Sequence, residues 1–243
     1  MSAPFSFKQF SISQDNAPMK VGTDGVLLGA WCKCDNAVTA LDIGTGTGLI
    51  ALMLAQRNPK TQITAIEPNG LAVKDAMLNF KKSQWSDRII LEKTDLKSFQ
   101  TNKKFDLIIA NPPFFKNSLN APDYGRNLAR HITGFSPRAF AEASTLLNAK
   151  GILSGIYPLN VFNEFDLEAR KMGLSPSRLC EVQPTPDKPA HRMLFEYTFA
   201  GATPHPTIES PNPTIDKLVI EENGRHNYSD EYIKLTRDFY LSL

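Results

Sequence analysis

The chain has 243 residues, with 27 lysines and arginines against 25 acidic residues and a formal net charge of +2. Apolar residues make up 42% of it and charged residues 21%, which excludes a disordered tail, a collagen-like fibre and a disulfide scaffold. No stretch approaches the roughly 20 apolar residues of a membrane span, and residues 1–20 hold no apolar core of signal-peptide length. We therefore expect a cytoplasmic protein.

The three cysteines are an odd number, and Cys32 and Cys34 lie too close in sequence for an ordinary disulfide bond. Since Cys180 stands alone, we expect three free thiols in a reducing compartment. No further ligand lies at the spacing of a metal site, so we expect no metal.

Short apolar runs alternate with helical patterns along the middle of the chain. After residues 1–36, which include a short helix at 26–31 with Thr23 as its N-cap, the predicted elements are strand 37–43, helix 49–57, strand 62–66, helix 71–82, strands 89–91 and 105–110, helix 137–147, strand 151–157, helix 161–172 and strands 178–182 and 193–199. The alternation predicts βαβ units and a mostly parallel sheet with helices on both faces. The last two strands are separated only by turn residues, which predicts an antiparallel hairpin at the end of the sheet.

The C-terminal part departs from this rhythm. Residues 203–213 carry four prolines and predict an extended connection. A strand at 218–220, a turn at Asn223-Gly224 and a helix over 229–241 with Ser229 as its N-cap follow. Neither flank is long enough for a core of its own, so we expect both to pack on the central domain.

A glycine-rich motif, Asp42-Ile-Gly-Thr-Gly-Thr-Gly48, connects a predicted strand to its helix. Glycines here let the chain turn tightly and let a ligand approach the backbone and the helix N-terminus. A dinucleotide fingerprint needs its third glycine three residues after the second, and Leu49 occupies that position. The spacing therefore disfavours a nicotinamide or flavin site, which stays as an alternative together with a turn that binds nothing.

Two acidic residues follow the next two strands of the central region. Glu67 ends strand 62–66, where a carboxylate can accept hydrogen bonds from both hydroxyls of a ribose. Asp95 follows strand 89–91 and is placed to accept from an adenine amino group. The alternatives are a solvated surface residue for Glu67 and a helix N-cap for Asp95.

The segment Asn111-Pro-Pro-Phe114 directly follows strand 105–110, at the point where open α/β sheets bind their ligands. The prolines stiffen the loop and leave carbonyl oxygens without competing N–H groups. The asparagine adds a side-chain acceptor and the phenylalanine a flat apolar face. Together they suit a planar amino group held by two acceptors and a stacked ring, with an ordinary turn as the alternative.

In this order, the glycine motif, Glu67, Asp95 and NPPF resemble the class I S-adenosylmethionine-dependent methyltransferases of amino groups. KVGTDGVLLGAW at 20–31 and YSDEYIKLTRDFYL at 228–241 are similar to segments of the bacterial tRNA (adenine-N6)-methyltransferases, which modify the purine 3′ of the anticodon of a valine tRNA. The resemblance covers nearly the whole chain. It implies a Rossmann-like α/β fold with a mostly parallel seven-stranded sheet, an antiparallel last strand and helices on both faces.

The resemblance also implies the reaction and its organisation. S-adenosylmethionine would donate a methyl group to the N6 amino group of adenine 37 in a valine tRNA, bound through its anticodon stem-loop region. Residues 1–36 would close over the cofactor, 37–202 would form the catalytic domain, and 203–243 would pack on that domain. We expect a monomer.

The site residues follow from the same resemblance. The cofactor-binding set is Lys20, Thr23, Asp24, Asp42, Gly44, Gly46, Gly48, Glu67 and Asp95. Within it Asp42 would orient the cofactor ammonium, Glu67 would bind the ribose and Asp95 the adenine. The catalytic set is Asn111, Pro112, Pro113 and Phe114. The Asn111 side chain and the Pro112 carbonyl would accept hydrogen bonds from the target amine, with Phe114 stacked on the base.

Basic residues are concentrated after NPPF, with four cations and one acid between residues 111 and 138. We predict tRNA contacts for Lys116, Arg126, Arg130 and Arg192. Ordinary solvated loops are the alternative. His131 and His191 receive no chemical role.

Several other functions fit the same core. A methyltransferase of protein glutamine amides would share NPP but usually has tyrosine after it. DNA adenine and ribosomal RNA bases are other acceptors, although a DNA enzyme would usually need a recognition domain that is not evident here. A dinucleotide-dependent oxidoreductase and a non-catalytic binding protein complete the alternatives.

Overall fold

The computed structural model describes residues 3–112, 135–201 and 213–242. Its strands and helices in chain order are β1 (Phe5–Ser6), β2 (Ser11–Ile12), α1 (Thr23–Trp31), β3 (Thr39–Ile43), α2 (Leu49–Arg57), β4 (Gln62–Ile66), α3 (Gly70–Lys82), β5 (Ile89–Glu92), β6 (Phe105–Ala110), α4 (Pro137–Glu142), β7 (Leu147–Pro158), α5 (Leu159–Lys171), β8 (Leu174–Gln183), β9 (Arg192–Phe199), β10 (Ile215–Val219) and α6 (Asp230–Thr236). None of the helices described is both long and apolar enough to cross a membrane. The three cysteines are free, as expected, and all are buried.

Eight strands form the main sheet, in the order β10-β8-β9-β7-β6-β3-β4-β5. β9 runs antiparallel to both of its neighbours, and all other pairs are parallel. The predicted fold class is confirmed, but the described sheet has eight strands rather than seven because β10 adds to its edge. The predicted position of the β8–β9 hairpin at the end of the sheet is therefore wrong, since β10 pairs with β8 on the outer side of the hairpin.

The core has two layers, one on each face of the sheet. Along β6, Leu107 and Ile109 belong to one layer and Ile108 and Ala110 to the other, as expected for a strand buried on both faces. Helices α1, α2, α3 and α6 contribute to the first layer, and α4 and α5 to the second. In the second layer five aromatic rings surround Phe195, contributed by Phe140, Tyr157, Phe162, Phe165 and Tyr197.

The two ends of the chain meet on the first layer. The backbone N–H of Lys8 donates to the Phe239 carbonyl at 2.8 Å, and Phe7 forms an antiparallel bridge with Tyr240. This pairing explains why α6 ends at Thr236, earlier than its apolar pattern predicts. Ser229 caps α6 as predicted, because its hydroxyl accepts from the Tyr232 N–H at 3.1 Å.

The predicted N-cap of α1 is wrong. Thr23 is the first helical residue, and Gly22 precedes it as N-cap without a side-chain hydrogen bond. The helical pattern predicted over 137–147 is also shorter, since α4 ends at Glu142 and the chain continues as a 3-10 turn into β7.

A buried ion pair attaches the end of α1 to β8 and β9. The Glu196 side chain is 1% exposed and accepts hydrogen bonds from the Lys33 N–H at 2.6 Å and the Arg178 guanidinium at 3.2 Å. The guanidinium also lies over the Trp31 ring, 3.7 Å from its centroid. Burial raises the pKa of Glu196, and the charge of Arg178 opposes that shift. The positive charge of Arg178 therefore helps to keep the buried carboxylate of Glu196 ionised.

We expect Arg178→Ala to destabilise the fold by about 3 kcal/mol, since it leaves a buried carboxylate without its counter-charge. Without the guanidinium, the folded-state pKa of Glu196 rises further above its unfolded value. A carboxyl with a raised folded pKa retains its proton in the folded state, so stability falls as pH rises through that window. Urea unfolding at about pH 5 and about pH 8 checks this, with the larger loss expected at the higher pH.

Lys171→Ala is the control, because Lys171 forms an exposed ion pair with Glu168 on α5. Its loss should cost less than about 1 kcal/mol. Equal costs for the two variants, or a cost of Arg178→Ala that does not change with pH, would contradict this account of the buried pair.

Candidate active site

Strand register brings three predicted site segments to one level of the sheet. Ile43 of β3 pairs with Ile66 of β4 on one side and with Ala110 of β6 on the other. The residues that follow these three partners are Gly44, Glu67 and Asn111. The glycine motif, the predicted ribose carboxylate and the start of NPPF are therefore adjacent at the carboxyl edge, where open α/β sheets bind ligands.

The glycines of the loop between β3 and α2 serve two purposes. Gly44, Gly46 and Gly48 have φ values of 69°, 59° and 86°, in the left-handed region that favours glycine. A Cβ on Gly44 would meet nothing within 4 Å, and one on Gly46 only a carbonyl at 3.9 Å, so both border open space. A Cβ on Gly48 would lie 2.4 Å from the Phe80 ring. Gly48 is therefore required by packing against α3, whereas the other two leave room for a ligand.

Glu67 holds the loop from the neighbouring strand. Its carboxylate accepts hydrogen bonds from the Gly46 N–H at 3.0 Å and the Asn69 N–H at 2.8 Å. The side chain is buried, so the alternative of a solvated surface residue is wrong. Burial raises the pKa of Glu67, and the two backbone donors oppose that shift. A contact with a ribose stays a prediction.

Asp42 lies buried beneath the same loop. One of its oxygens accepts from the Thr45 hydroxyl at 2.6 Å, while the other makes no hydrogen bond of ordinary geometry to a described residue. Burial raises the pKa of Asp42 to about 7, opposed by Thr45 and the backbone of Ala51 and increased by the charge of Glu67. A buried carboxyl oxygen with a free acceptor position suits a cationic group that enters the loop.

The first residues of the catalytic segment lie beside α1. Asn111 is half-buried and Pro112 is buried. A Cβ on Gly25 would lie 3.5 Å from Nδ2 of Asn111 and 3.1 Å from Leu49, so α1 packs closely between the start of α2 and the asparagine. Five predicted site residues lie outside the described part of the chain: Pro113, Phe114, Lys116, Arg126 and Arg130.

An ion pair connects two predicted site residues that the sequence assigned to different ligands. Nε of Arg192 lies 2.8 Å from a carboxylate oxygen of Asp24. Because β9 is antiparallel, Arg192 begins that strand at the carboxyl edge, opposite Pro158 of β7. Asp24 and Arg192 are 168 positions apart in the sequence, and no sequence pattern predicts their contact. Their roles toward the cofactor and the tRNA stay predictions.

The other predicted cofactor residues have local contacts. Asp95 accepts a hydrogen bond from the Ser98 N–H at 2.7 Å, so it caps a turn, and no helix follows it as the N-cap alternative predicted. The Lys20 ammonium contacts the carbonyl of Gln14. Thr23 occupies the first turn of α1. A contact of these residues with the cofactor stays a prediction.

Sequence analysis missed two asparagines that support the site. Asn69 caps α3 by accepting from the N–H groups of Leu71 and Ala72. Asn79, farther along α3, donates to the Thr47 carbonyl of the glycine loop at 2.9 Å. Single asparagines carry no recognisable spacing, so only the structure shows these contacts.

Solved structures show the same fold. A "predicted O-methyltransferase" from Agrobacterium tumefaciens superposes with a TM-score of 0.67 at 21% identity, covering 89% of this chain and 96% of that one. A glycopeptide N-methyltransferase solved with S-adenosylmethionine has a TM-score of 0.52 at 12% identity, covering 75% and 90%. At these identities the likeness concerns the fold alone.

Comparison of sequences is more specific. Residues 24–153 match the family model described as the methyltransferase small domain. Proteins named tRNA1(Val) (adenine(37)-N6)-methyltransferase are similar over almost their full length. That of Bacteroides fragilis is 41% identical over 100% of both chains, and that of Porphyromonas gingivalis 44% identical over 98% of this chain and 95% of its own. The chain therefore belongs to the tRNA1(Val) (adenine(37)-N6)-methyltransferase family.

Proposed function

We propose that this protein transfers the methyl group of S-adenosylmethionine to the N6 amino group of adenine 37 in a valine tRNA. The observation that carries the proposal is the alignment of Gly44, Glu67 and Asn111 on three neighbouring strands. In the proposed mechanism this alignment supports a cofactor site next to an amine site. The names of the full-length relatives support the choice of tRNA as substrate.

The described residues fit S-adenosylmethionine. The open space at Gly44 and Gly46 can admit its methionine end, and the Asp42 oxygen that does not bind Thr45 can accept from its ammonium. Glu67 already accepts two backbone hydrogen bonds, and its oxygens keep lone pairs for the ribose hydroxyls. In this proposal residues 1–36 close over the cofactor, and Lys20, Thr23 and Asp24 face it.

The acceptor site overcomes the weak nucleophilicity of the target amine. The lone pair of an adenine amino group is delocalised into the ring, so the nitrogen attacks poorly. When bound, the cofactor supplies an electrophilic methyl group on its sulfonium. The Asn111 side chain and the Pro112 carbonyl accept the two amine hydrogens, which favours a tetrahedral nitrogen and aims its lone pair. No side-chain base is needed beforehand, because the product ammonium is acidic enough to lose its proton to water.

The tRNA must present its base outside the stack. A single-stranded anticodon loop allows this at lower cost than a duplex. Phe114 would then stack on the base, while Lys116, Arg126, Arg130 and Arg192 contact the RNA. We expect the reaction to take place in the cytoplasm, where tRNA is processed.

Asn111→Ala should lower turnover by about 100-fold, the scale for loss of one preorganised polar group. The fold and cofactor affinity should be largely unchanged, since the side chain is proposed to contact the target amine. Single-turnover methylation and calorimetric titration with the cofactor measure the two effects. Asn148→Ala is a matched control, because Asn148 donates to Asp106 far from the carboxyl edge. A near-wild-type rate for Asn111→Ala would remove this residue from the mechanism.

Cofactor affinity should rise several-fold between about pH 6 and about pH 7.5. The pKa of Asp42 is raised to about 7, so a cofactor ammonium competes with its proton at low pH. The gain should level off at higher pH, because an α-amino group itself loses its charge near pH ~8. Calorimetry in buffers of different ionisation enthalpy should detect proton release on binding. Asp42→Asn should remove this dependence, and an unchanged profile in that variant would exclude Asp42.

The double variant Arg126→Ala Arg130→Ala should bind tRNA more weakly and keep its cofactor affinity. Each lost phosphate contact should also reduce the slope of the log binding constant against log salt concentration. For a single-stranded loop the reduction should be somewhat less than about one unit per contact. The assay offers radiolabelled cofactor to total tRNA, ribosomal RNA, DNA and protein across a salt series. We expect N6-methyladenine in tRNA, reduced in the variant.

The other outcomes of this assay are equally informative. Label only in ribosomal RNA, DNA or a glutamine amide would refute the tRNA assignment. Equal labelling of tRNA by wild type and variant at every salt concentration would show that these arginines take no part in binding.

A further inference from the structure

The segment between β2 and α1 lies against α3 and the glycine loop. We call residues 13–21 the N-terminal arm. The arm is braced internally by Gln14, whose side-chain oxygen accepts from the Val21 N–H at 2.7 Å. It continues into α1, where Gly25 packs beside Asn111. The arm therefore connects to both halves of the proposed site.

Two buried polar side chains of α3, one turn apart, hold the arm. Asp75 accepts hydrogen bonds from the N–H of Asn16 at 2.9 Å, from its side-chain amide at 2.7 Å and from the N–H of Ala17 at 2.7 Å. Asn79 accepts from the N–H of Ser13 at 2.8 Å and donates to the carbonyl of the same residue at 2.9 Å. Both side chains are at most 2% exposed. Loss of these hydrogen bonds would therefore leave buried polar groups without water as a replacement partner, which costs free energy.

The second N–H of the Asn79 amide donates to the Thr47 carbonyl at 2.9 Å. One fully engaged side chain thus contacts the arm and the glycine loop at once. The next residue of α3 supports the next residue of the loop, since the Phe80 ring lies against Gly48. A shift of the loop would therefore disturb the Asn79 amide that holds Ser13, although Asp75 would still hold Asn16 and Ala17. Release of the arm would in turn free the side-chain oxygen of Asn79 and one of its two N–H groups.

We propose that Asn79 is a positioning residue that couples the N-terminal arm to the glycine loop, so that cofactor binding and ordering of the arm promote each other. The inference rests on the proposed function, in which the loop holds S-adenosylmethionine. Coupling between two sites is reciprocal, so the cofactor must stabilise the arm by as much as the ordered arm stabilises the bound cofactor.

The test compares Asn79→Ala with Asn58→Ala. Asn58 is also a buried asparagine that donates to backbone carbonyls, those of Cys34, Asp35 and Ala37, but it follows α2 at the opposite edge of the sheet. Cofactor affinity is measured by calorimetry. Hydrogen exchange of the arm is measured by mass spectrometry with and without S-adenosylmethionine.

In the wild type, the cofactor should slow exchange in the arm. Asn79→Ala removes three hydrogen bonds, one of them to the glycine loop. It should weaken cofactor binding by about tenfold, the scale of that one bond, and should abolish the protection of the arm by the cofactor. Asn58→Ala should lower the melting temperature but keep the wild-type dissociation constant and the protection. If Asn79→Ala does not fold, Asn79→Leu serves instead, since leucine is close to asparagine in shape, stays neutral and makes none of the three hydrogen bonds.

The experiment distinguishes a failure of the proposed function from a failure of the coupling. A wild-type protein that binds no S-adenosylmethionine would refute the proposed function itself. Wild-type affinity and arm protection in the Asn79 variant would refute only the coupling. Equal weakening by Asn58→Ala would also overturn the inference, because the effect would then follow general stability rather than the position of Asn79.

Discussion

The register that pairs Ile43 with both Ile66 and Ala110 is the constraint on which the site depends. Three chain segments separated by more than twenty residues each leave the sheet at the same height because parallel strands end together. A slip of one residue in any of them would turn every side chain of that strand to the other face. Since β3, β4 and β6 are buried on both faces, such a slip would disrupt both core layers.

The polar side chains beneath this edge form hydrogen bonds mainly with one another and with backbone groups. Glu67 binds the glycine loop, Asn79 supports it from α3, and Asp42 binds the Thr45 hydroxyl of the same loop. Burial of two carboxylates so close together is costly, and their raised pKa values express that cost. In the proposed function, the cofactor ammonium would favour the ionised form of these carboxyls and so lower their pKa values.

The sequence predicted the central elements closely, because their information is local. The helix Leu49–Arg57 and the strands Gln62–Ile66 and Phe105–Ala110 have the predicted bounds, since glycine and proline mark their ends. Contacts between residues far apart in the sequence were not predicted. The addition of β10 to the edge and the pairing of Asp24 with Arg192 depend on tertiary packing, for which a single sequence has no signal. The roles of the site residues toward ligands stay predictions.

The bridge between Phe7 and Tyr240 has a consequence for biosynthesis. Phe7 cannot gain this partner until the chain has been synthesised as far as Tyr240. Until then the rings of Phe5 and Phe7, which pack on each other and on Tyr240, lack part of their cover. A nascent or prematurely terminated chain would therefore display an aromatic surface, the kind of feature that chaperones and proteases recognise. Burial of these rings thus depends on prior synthesis of the chain as far as Tyr240.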